Sequence, residues 1–268
     1  MNATPSGPNQ DPSDRQFAPD DDRADSWDGF EPPREPTPAP PIFNLPGIIV
    51  VLVAAFIVMH VLRAHILERE VQVQVLVWLS FIPATVTQTI PGFPSNWVAL
   101  WTPVTHAFLH GDWLHLGVNA LWLVAFGSAV AKRIGTAGFL IFFALGSAFG
   151  ALAHFITHVD AVIPVIGASG AVSACMGAAV RFAFSGRGVT NSPETARRLS
   201  LVESFRNPTV LGFVGIWFAL NWLFGSGVIP IPGADGQIAW QAHVGGFLFG
   251  LLAFSLFDRR SHARGFYG

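Results

Sequence analysis

Six apolar segments follow Phe43, at Pro46–Leu62, Trp113–Ala131, Phe139–Phe155, Ala168–Phe184, Pro208–Phe224 and Ile238–Phe257. Each is near the ~20 residues a helix needs to cross about 30 Å of hydrocarbon. Lipid offers backbone N–H and C=O groups no partner, so such segments are expected to be α-helices. The chain is therefore expected to be an all-α, polytopic membrane protein with six transmembrane helices. Composition agrees, because 51% of the 268 residues are hydrophobic, 12% are charged and mean hydropathy is +0.47. That is too little charge to cover a soluble surface.

The same composition excludes several function classes. No basic patch points to nucleic acid, and the single Cys175 supplies neither a disulfide framework nor a cysteine metal site. There is no His-Glu-x-x-His string, and His106-x-x-x-His110 has only Asp112 as a nearby carboxylate. No metal and no cofactor are expected.

Residues 1–41 hold ten of the twenty prolines, many aspartates and few large aliphatics. Such a segment cannot bury enough apolar surface to offset the cost of ordering it, so it is expected to be a disordered cytoplasmic tail. Residues 42–268 are expected to form the membrane domain. Met1 opens a polar stretch and the first apolar run lies far from it, so no cleavable signal peptide is expected. The connection from Arg63 to Asp112 is broken by Pro83, Pro91, Pro94 and Pro103 and carries Trp78, Trp97 and Trp101. It reads as a loop lying partly in the membrane interface, where indoles prefer to sit.

Basic residues set the expected orientation. Lys132 and Arg133 end the second segment, Arg181, Arg187, Arg197, Arg198 and Arg206 fill the fourth connection, and Arg259, Arg260 and Arg264 follow the sixth. By the positive-inside tendency both termini face the cytoplasm, and the long first loop and the loop before Ser169 face outward.

Polar side chains inside apolar spans are costly, so each is by default a functional hypothesis. In Gly167-Ala168-Ser169-Gly170-Ala171-Val172-Ser173-Ala174 a serine sits where a loop becomes an apolar run. The N-terminal end of a helix favours developing negative charge there. The same small residues also serve close helix packing. The second span carries His115 and Asn119, spaced i to i+4 on one face, and the sixth carries His243 near its outer end. Because spans two, four and six run in the same direction, these four residues fall at similar depth. His243 can take the proton of Ser169, and the Ser169 N–H, Asn119 and His115 can donate to an oxyanion. Gly246 and Gly250 form a G-x-x-x-G face opposite Gly170, Ala174, Gly177 and Ala178, which lets the two helices approach closely. His106 and His110, near the interface, read as loop or structural histidines, His154 and His158 as interfacial residues, and Asn221 as a polar group with no role beyond an interhelical hydrogen bond.

Three strings occurring in order, His115-x-x-x-Asn119, Gly167-x-Ser169-Gly170-x-x-x-Ala174 and Ala242-His243-x-x-Gly246-x-x-x-Gly250, resemble those of the rhomboid family of intramembrane serine proteases. The resemblance runs from about Phe43 to Phe257. It implies a six-helix rhomboid-like bundle with a Ser169–His243 dyad and an oxyanion hole of His115, Asn119 and the Ser169 backbone. It also implies cleavage of transmembrane segments of other membrane proteins, without cofactor or metal, by an integral protein of the bacterial inner (plasma) membrane. Trp122, Phe218 and Trp222 are the positions that resemblance assigns to a lateral substrate gate; lipid-facing aromatic anchors are the other reading of them. Two features depart from the family pattern. Ser173 stands where bacterial members commonly carry an aromatic residue packed on the histidine, and the first loop lacks a Trp-Arg pair, with Asn96-Trp97 the closest string. Ser173 is the feature that supports the alternative, a catalytically weak or inactive rhomboid-like protein that binds or chaperones membrane clients.

Overall fold

A computed structural model of the chain describes residues 44–186, 193–228 and 239–258. The expected tail, 1–41, lies outside the described residues. The described residues are helical, with a single isolated β-bridge and no strand.

Each of the six apolar segments becomes helix in whole or in part. The first is α1 (Gly47–Val61), extended by a π-turn over Leu62–Ile66. The connection that reads as a loop contains helix after all: α2 (Arg69–Leu79), then α3 (Ala84–Thr87) and α4 (Thr102–Thr105), with 3-10 turns at Asn96–Leu100 and His106–Phe108. The prolines bound these short pieces rather than abolish them, since Pro83 and Pro103 stand at helix starts, where a missing N–H costs nothing.

The second segment starts at α5 (Trp113–Trp122), whose first turn is capped by the Asp112 carboxylate accepting from the His115 N–H at 2.8 Å. A π-turn, Leu123–Gly127, passes it into α6 (Ser128–Thr157). Inside α6, Gly135 has φ +77°, a left-handed conformation that closes one helix and opens the next. The second and third apolar segments thus meet across one glycine.

The fourth segment is shorter than its apolar run. Helix α7 spans Ser169–Ala179, and residues 180–184 continue as buried turns. At about 1.5 Å per residue α7 is far too short to cross a bilayer alone. It has no need to face lipid, because Gly170 to Ala179 are all buried, between α6 and α10 (Trp240–Phe257). Before the fifth segment comes α8 (Leu201–Arg206), started by a reciprocal capping box between Ser200 and Glu203. Asn207 then caps α9 (Pro208–Gly225), accepting from the N–H groups of Thr209 and Val210.

Small residues set the central spacing. A β-carbon on Gly246 would lie 2.0 Å from Gly170 O, one on Gly250 1.9 Å from Ala174 O, and one on Gly177 2.1 Å from Phe247 O. Helix α6 joins through Gly146 and Gly150, which abut Ala174, Gly170 and Ala242. Backbones at this distance leave no room for side chains between them, so the packing is specified by absence of bulk. Outward-facing side chains of α1, α6, α9 and α10, such as Val51, Ile141, Ile216 and Leu256, are exposed and apolar, as a lipid-facing surface requires.

At the end away from Ser169, several arginines are structural rather than free charges. Arg133 is buried, bonded to Asp258 at 2.8 Å and to the carbonyls of Pro193 and Ala196, with its guanidinium 4.7 Å from the Phe182 ring centre. Arg181, also buried, donates to Leu199 O and Leu251 O. Arg198 stands 3.7 Å from Asp258. A buried cation persists only when its charge is paired or its donors are bonded: Arg133 has both a carboxylate and carbonyls, and Arg181 has carbonyls. Arg187, Arg259, Arg260 and Arg264 lie outside the described residues.

Candidate active site

Ser169 is the first residue of α7, so its N–H has no partner within the helix and lies at the positive end of the helix dipole. The turn before it is held from two sides. Gly167 N–H donates to His106 O at 2.9 Å, and Val165 pairs with Phe81 in the antiparallel bridge. Ala84 N–H adds a bond to Ala161 O. The first loop is therefore fastened to the loop that carries the serine, which sequence reading did not foresee. His106 and His110 are structural histidines of the loop. Both are buried, and burial pushes the His106 imidazole down to about 4 and that of His110 to about 3. His106 Nδ1 donates to Thr102 O at 2.9 Å, which holds the ring while its own carbonyl takes the Gly167 N–H.

His115 and Asn119 sit on one face of α5 and converge on Gly167. A β-carbon on Gly167 would meet His115 Nε2 at 2.6 Å and lie 3.9 Å from Asn119 Nδ2. Gly167 also has φ +112°, so glycine is required there for conformation and for space. On its other side His115 Nδ1 accepts a long, 3.4 Å contact from Gly111 N–H. An amide nitrogen can only donate, which leaves the proton of the neutral imidazole on Nε2, toward the serine turn. Asn119 is buried, and its Nδ2 donates to His115 O at 2.8 Å. Two side-chain donors thus lie beside the turn that delivers the Ser169 N–H.

His243 lies in the first turn of α10, three residues before Gly246, and Gly246 rests on the carbonyl of Gly170, the residue after Ser169. The helices that carry Ser169 and His243 therefore touch within one turn of both side chains. Among the described residues no hydrogen bond joins Ser169 Oγ to His243. Such bonds often tighten only when substrate is bound. His243 Nδ1 is bonded instead to Asn221 Oδ1 of α9 at 2.5 Å, and Asn221 Nδ2 donates to Trp217 O at 2.7 Å. The sequence assigns Asn221 an interhelical hydrogen bond and nothing more, and this bond joins α9 to α10. An asparagine in an apolar span at the depth of a histidine was the signal available.

The three aromatic residues expected at a gate are exposed, Trp122 at 41%, Phe218 at 45% and Trp222 at 50%. Trp122 packs on Phe126, which meets Phe213 of α9, and Phe218 packs edge-on against Trp240. Of the eighteen residues of α9 only Val210 and Gly225 are buried. A crevice with a wholly apolar lining, including Val214, Trp217, Val244 and Phe247, separates α9 from α10. Helix α9 is thus the least embedded of the apolar helices around the site. Among the described residues no group of histidine, cysteine and carboxylate side chains is arranged to hold a metal ion.

A family model described as the Rhomboid domain matches residues 97–260, more than half of the chain, including His115, Asn119, Gly167, Ser169, Asn221 and His243. The chain belongs to the rhomboid family. Among curated proteins it is similar to the rhomboid protease GlpG of Serratia proteamaculans (strain 568), 29% identical over 217 residues, 81% of this chain and 63% of that relative. It is also similar to the rhomboid protease GlpG of Yersinia pestis (strain Pestoides F), 29% identical over 170 residues, 63% of this chain and 52% of that relative. The chain therefore spans between about half and just under two thirds of the length of these rhomboid relatives. The rhomboid match begins in the first loop, leaving α1, α2 and α3 outside it.

Proposed function

We propose that the chain is an intramembrane serine endopeptidase that cleaves transmembrane segments of other membrane proteins. The observation that carries this reading is the convergence of His115 Nε2 and Asn119 Nδ2 on the turn that presents Ser169, with the His243 helix in backbone contact one residue further on. The protein relatives named as proteases and the family match support it.

In the proposed reaction Ser169 Oγ attacks the scissile carbonyl carbon while His243 Nε2 takes the hydroxyl proton. As the C–O bond forms, the carbonyl electron pair moves onto oxygen. The Ser169 N–H, His115 Nε2–H and Asn119 Nδ2–H stabilise that oxyanion, and removing one such donor typically costs about 100-fold or more in rate. The imidazolium then gives its proton to the leaving amine as the C–N bond breaks. A water, deprotonated by the same histidine, releases the acyl group from Ser169. Substrate enters laterally beside α9, past Trp122, Phe218 and Trp222. The protein sits in a bacterial inner (plasma) membrane with both termini in the cytoplasm and the serine opening toward the outer face.

The test is labelling with a fluorophosphonate in detergent alongside cleavage of a co-reconstituted transmembrane reporter. Wild type is expected to label and to cleave, and Ser169→Ala and His243→Ala to do neither. A wild type that stays unlabelled under conditions that label an active relative would overturn the reading.

A further inference from the structure

Asn221 decides the protonation pattern of His243. Its Nδ2 donates to Trp217 O, and a carbonyl oxygen can only accept, so the amide nitrogen must lie on that side. That fixes the amide orientation and leaves Oδ1, an acceptor, facing His243 Nδ1 at 2.5 Å. An acceptor there requires the His243 proton on Nδ1, which places the lone pair on Nε2. That is the tautomer a general base toward serine needs.

Among the described residues His243 has no other hydrogen-bond partner. Ser173, one turn along α7 from Ser169, has no ring to stack on an imidazole. Trp240 is engaged with Phe218 and with Gly225, where a β-carbon would meet it at 2.6 Å. We propose that Asn221 is the positioning residue for His243, holding its imidazole by Nδ1–H so that Nε2 accepts the Ser169 proton, in a Ser169–His243–Asn221 relay assembled from three helices. The proposal rests on the protease reading above and deepens it. Asn221 touches neither substrate nor the reacting atoms. Its carbonyl dipole stabilises the imidazolium once Nε2 is protonated, and its bond keeps the ring from turning. Because Asn221 rides on α9, the placement of that loosely embedded helix becomes part of the chemistry.

The test compares Asn221→Leu with Asn221→Asp in the full chain, reconstituted with the transmembrane reporter. Leucine matches the side chain in size, suits an apolar span and removes the acceptor. A neutral aspartic acid keeps both an acceptor for His243 and a donor for Trp217 O. Removing groups that orient a functional histidine typically costs 10- to 100-fold. Asn221→Leu is expected to lose kcat on that scale with KM within about twofold, and Asn221→Asp to retain most of kcat. A role in packing alone predicts the reverse order, with leucine the better tolerated. In parallel, nitrogen-15 spectra of histidine-labelled protein are expected to show the Nδ1–H form of His243 in wild type and Asn221→Asp, and a tautomer mixture in Asn221→Leu. Full kcat in Asn221→Leu, or an unchanged tautomer, overturns the inference while fluorophosphonate labelling of Ser169 leaves the protease reading standing. An unlabelled wild type removes both.

Discussion

Gly246 on α10 lies so close to Gly170 on α7 that a β-carbon on it would stand 2.0 Å from the Gly170 carbonyl oxygen. The atom it would strike is backbone, which cannot swing aside. Gly246→Ala is therefore expected to push α7 and α10 apart beside Ser169 and His243. Overpacking of this kind costs about 1–3 kcal/mol, or more where backbone must move. Cleavage of a transmembrane reporter should fall below about one tenth of wild type, and the thermal midpoint in detergent should drop. Gly212→Ala on α9, where nothing lies within 4 Å, should leave cleavage intact and gain up to about 1 kcal/mol of helix stability.

Gly167→Ala perturbs the oxyanion donors through the turn that presents Ser169. The substitution places a methyl 2.6 Å from His115 Nε2 and strains a residue at φ +112°. Displacing His115 is expected to lower kcat by about 100-fold. Reporter kinetics should show that loss with KM within a fewfold of wild type, and a loss confined to KM would argue against a donor at this position.

The Arg133–Asp258 pair is buried on both sides, so its partners are expected to depend on each other strongly. Asp258→Ala leaves a buried guanidinium with Arg198 as a second unbalanced cation nearby. Breaking a buried pair in this way costs about 3–5 kcal/mol. Replacing both partners, Arg133→Met with Asp258→Leu, is expected to recover most of that loss. Denaturant titration in mixed micelles reads both values, and simple addition of the single losses would show that the pair is not coupled.

Acid should destabilise the first loop through His106 and His110. Their folded values, about 4 and about 3, lie below the ordinary 6.5, with burial the main cause in both. Below pH 6.5 the unfolded chain gains protons that the folded chain refuses. Stability is therefore full above pH 6.5 and falls as pH drops toward 4, by up to about 1.4 kcal/mol per pH unit for each histidine. His110→Phe preserves the ring contact with Phe56 and removes one of the two sites. The thermal midpoint measured from pH 7 to pH 4 should then decline less steeply than in wild type.

What the sequence could specify by itself was whatever depends on neighbours along the chain. Apolar length marked where helices lie, because lipid leaves the backbone no other partner. The i to i+4 spacing of His115 and Asn119 put both on one face of α5, and the glycines of the sixth segment marked a close crossing before any neighbour was known. The shortness of α7 was not legible, since Val180, Phe182, Ala183 and Phe184 continue the apolar run around Arg181, and only their burial by other helices lets them turn. The arginines read as topology signals for the same reason: a cation looks alike in sequence whether it faces water or, like Arg133 and Arg181, lies buried on carbonyls and a carboxylate. The orientation of His243 was the least accessible of all. Asn221 is 22 residues away on another helix, and which of its amide atoms faces the imidazole is set by a bond to Trp217 O. Helix placement followed from solvent and local spacing, whereas the choice of hydrogen-bond partner at the site was made only when three helices packed.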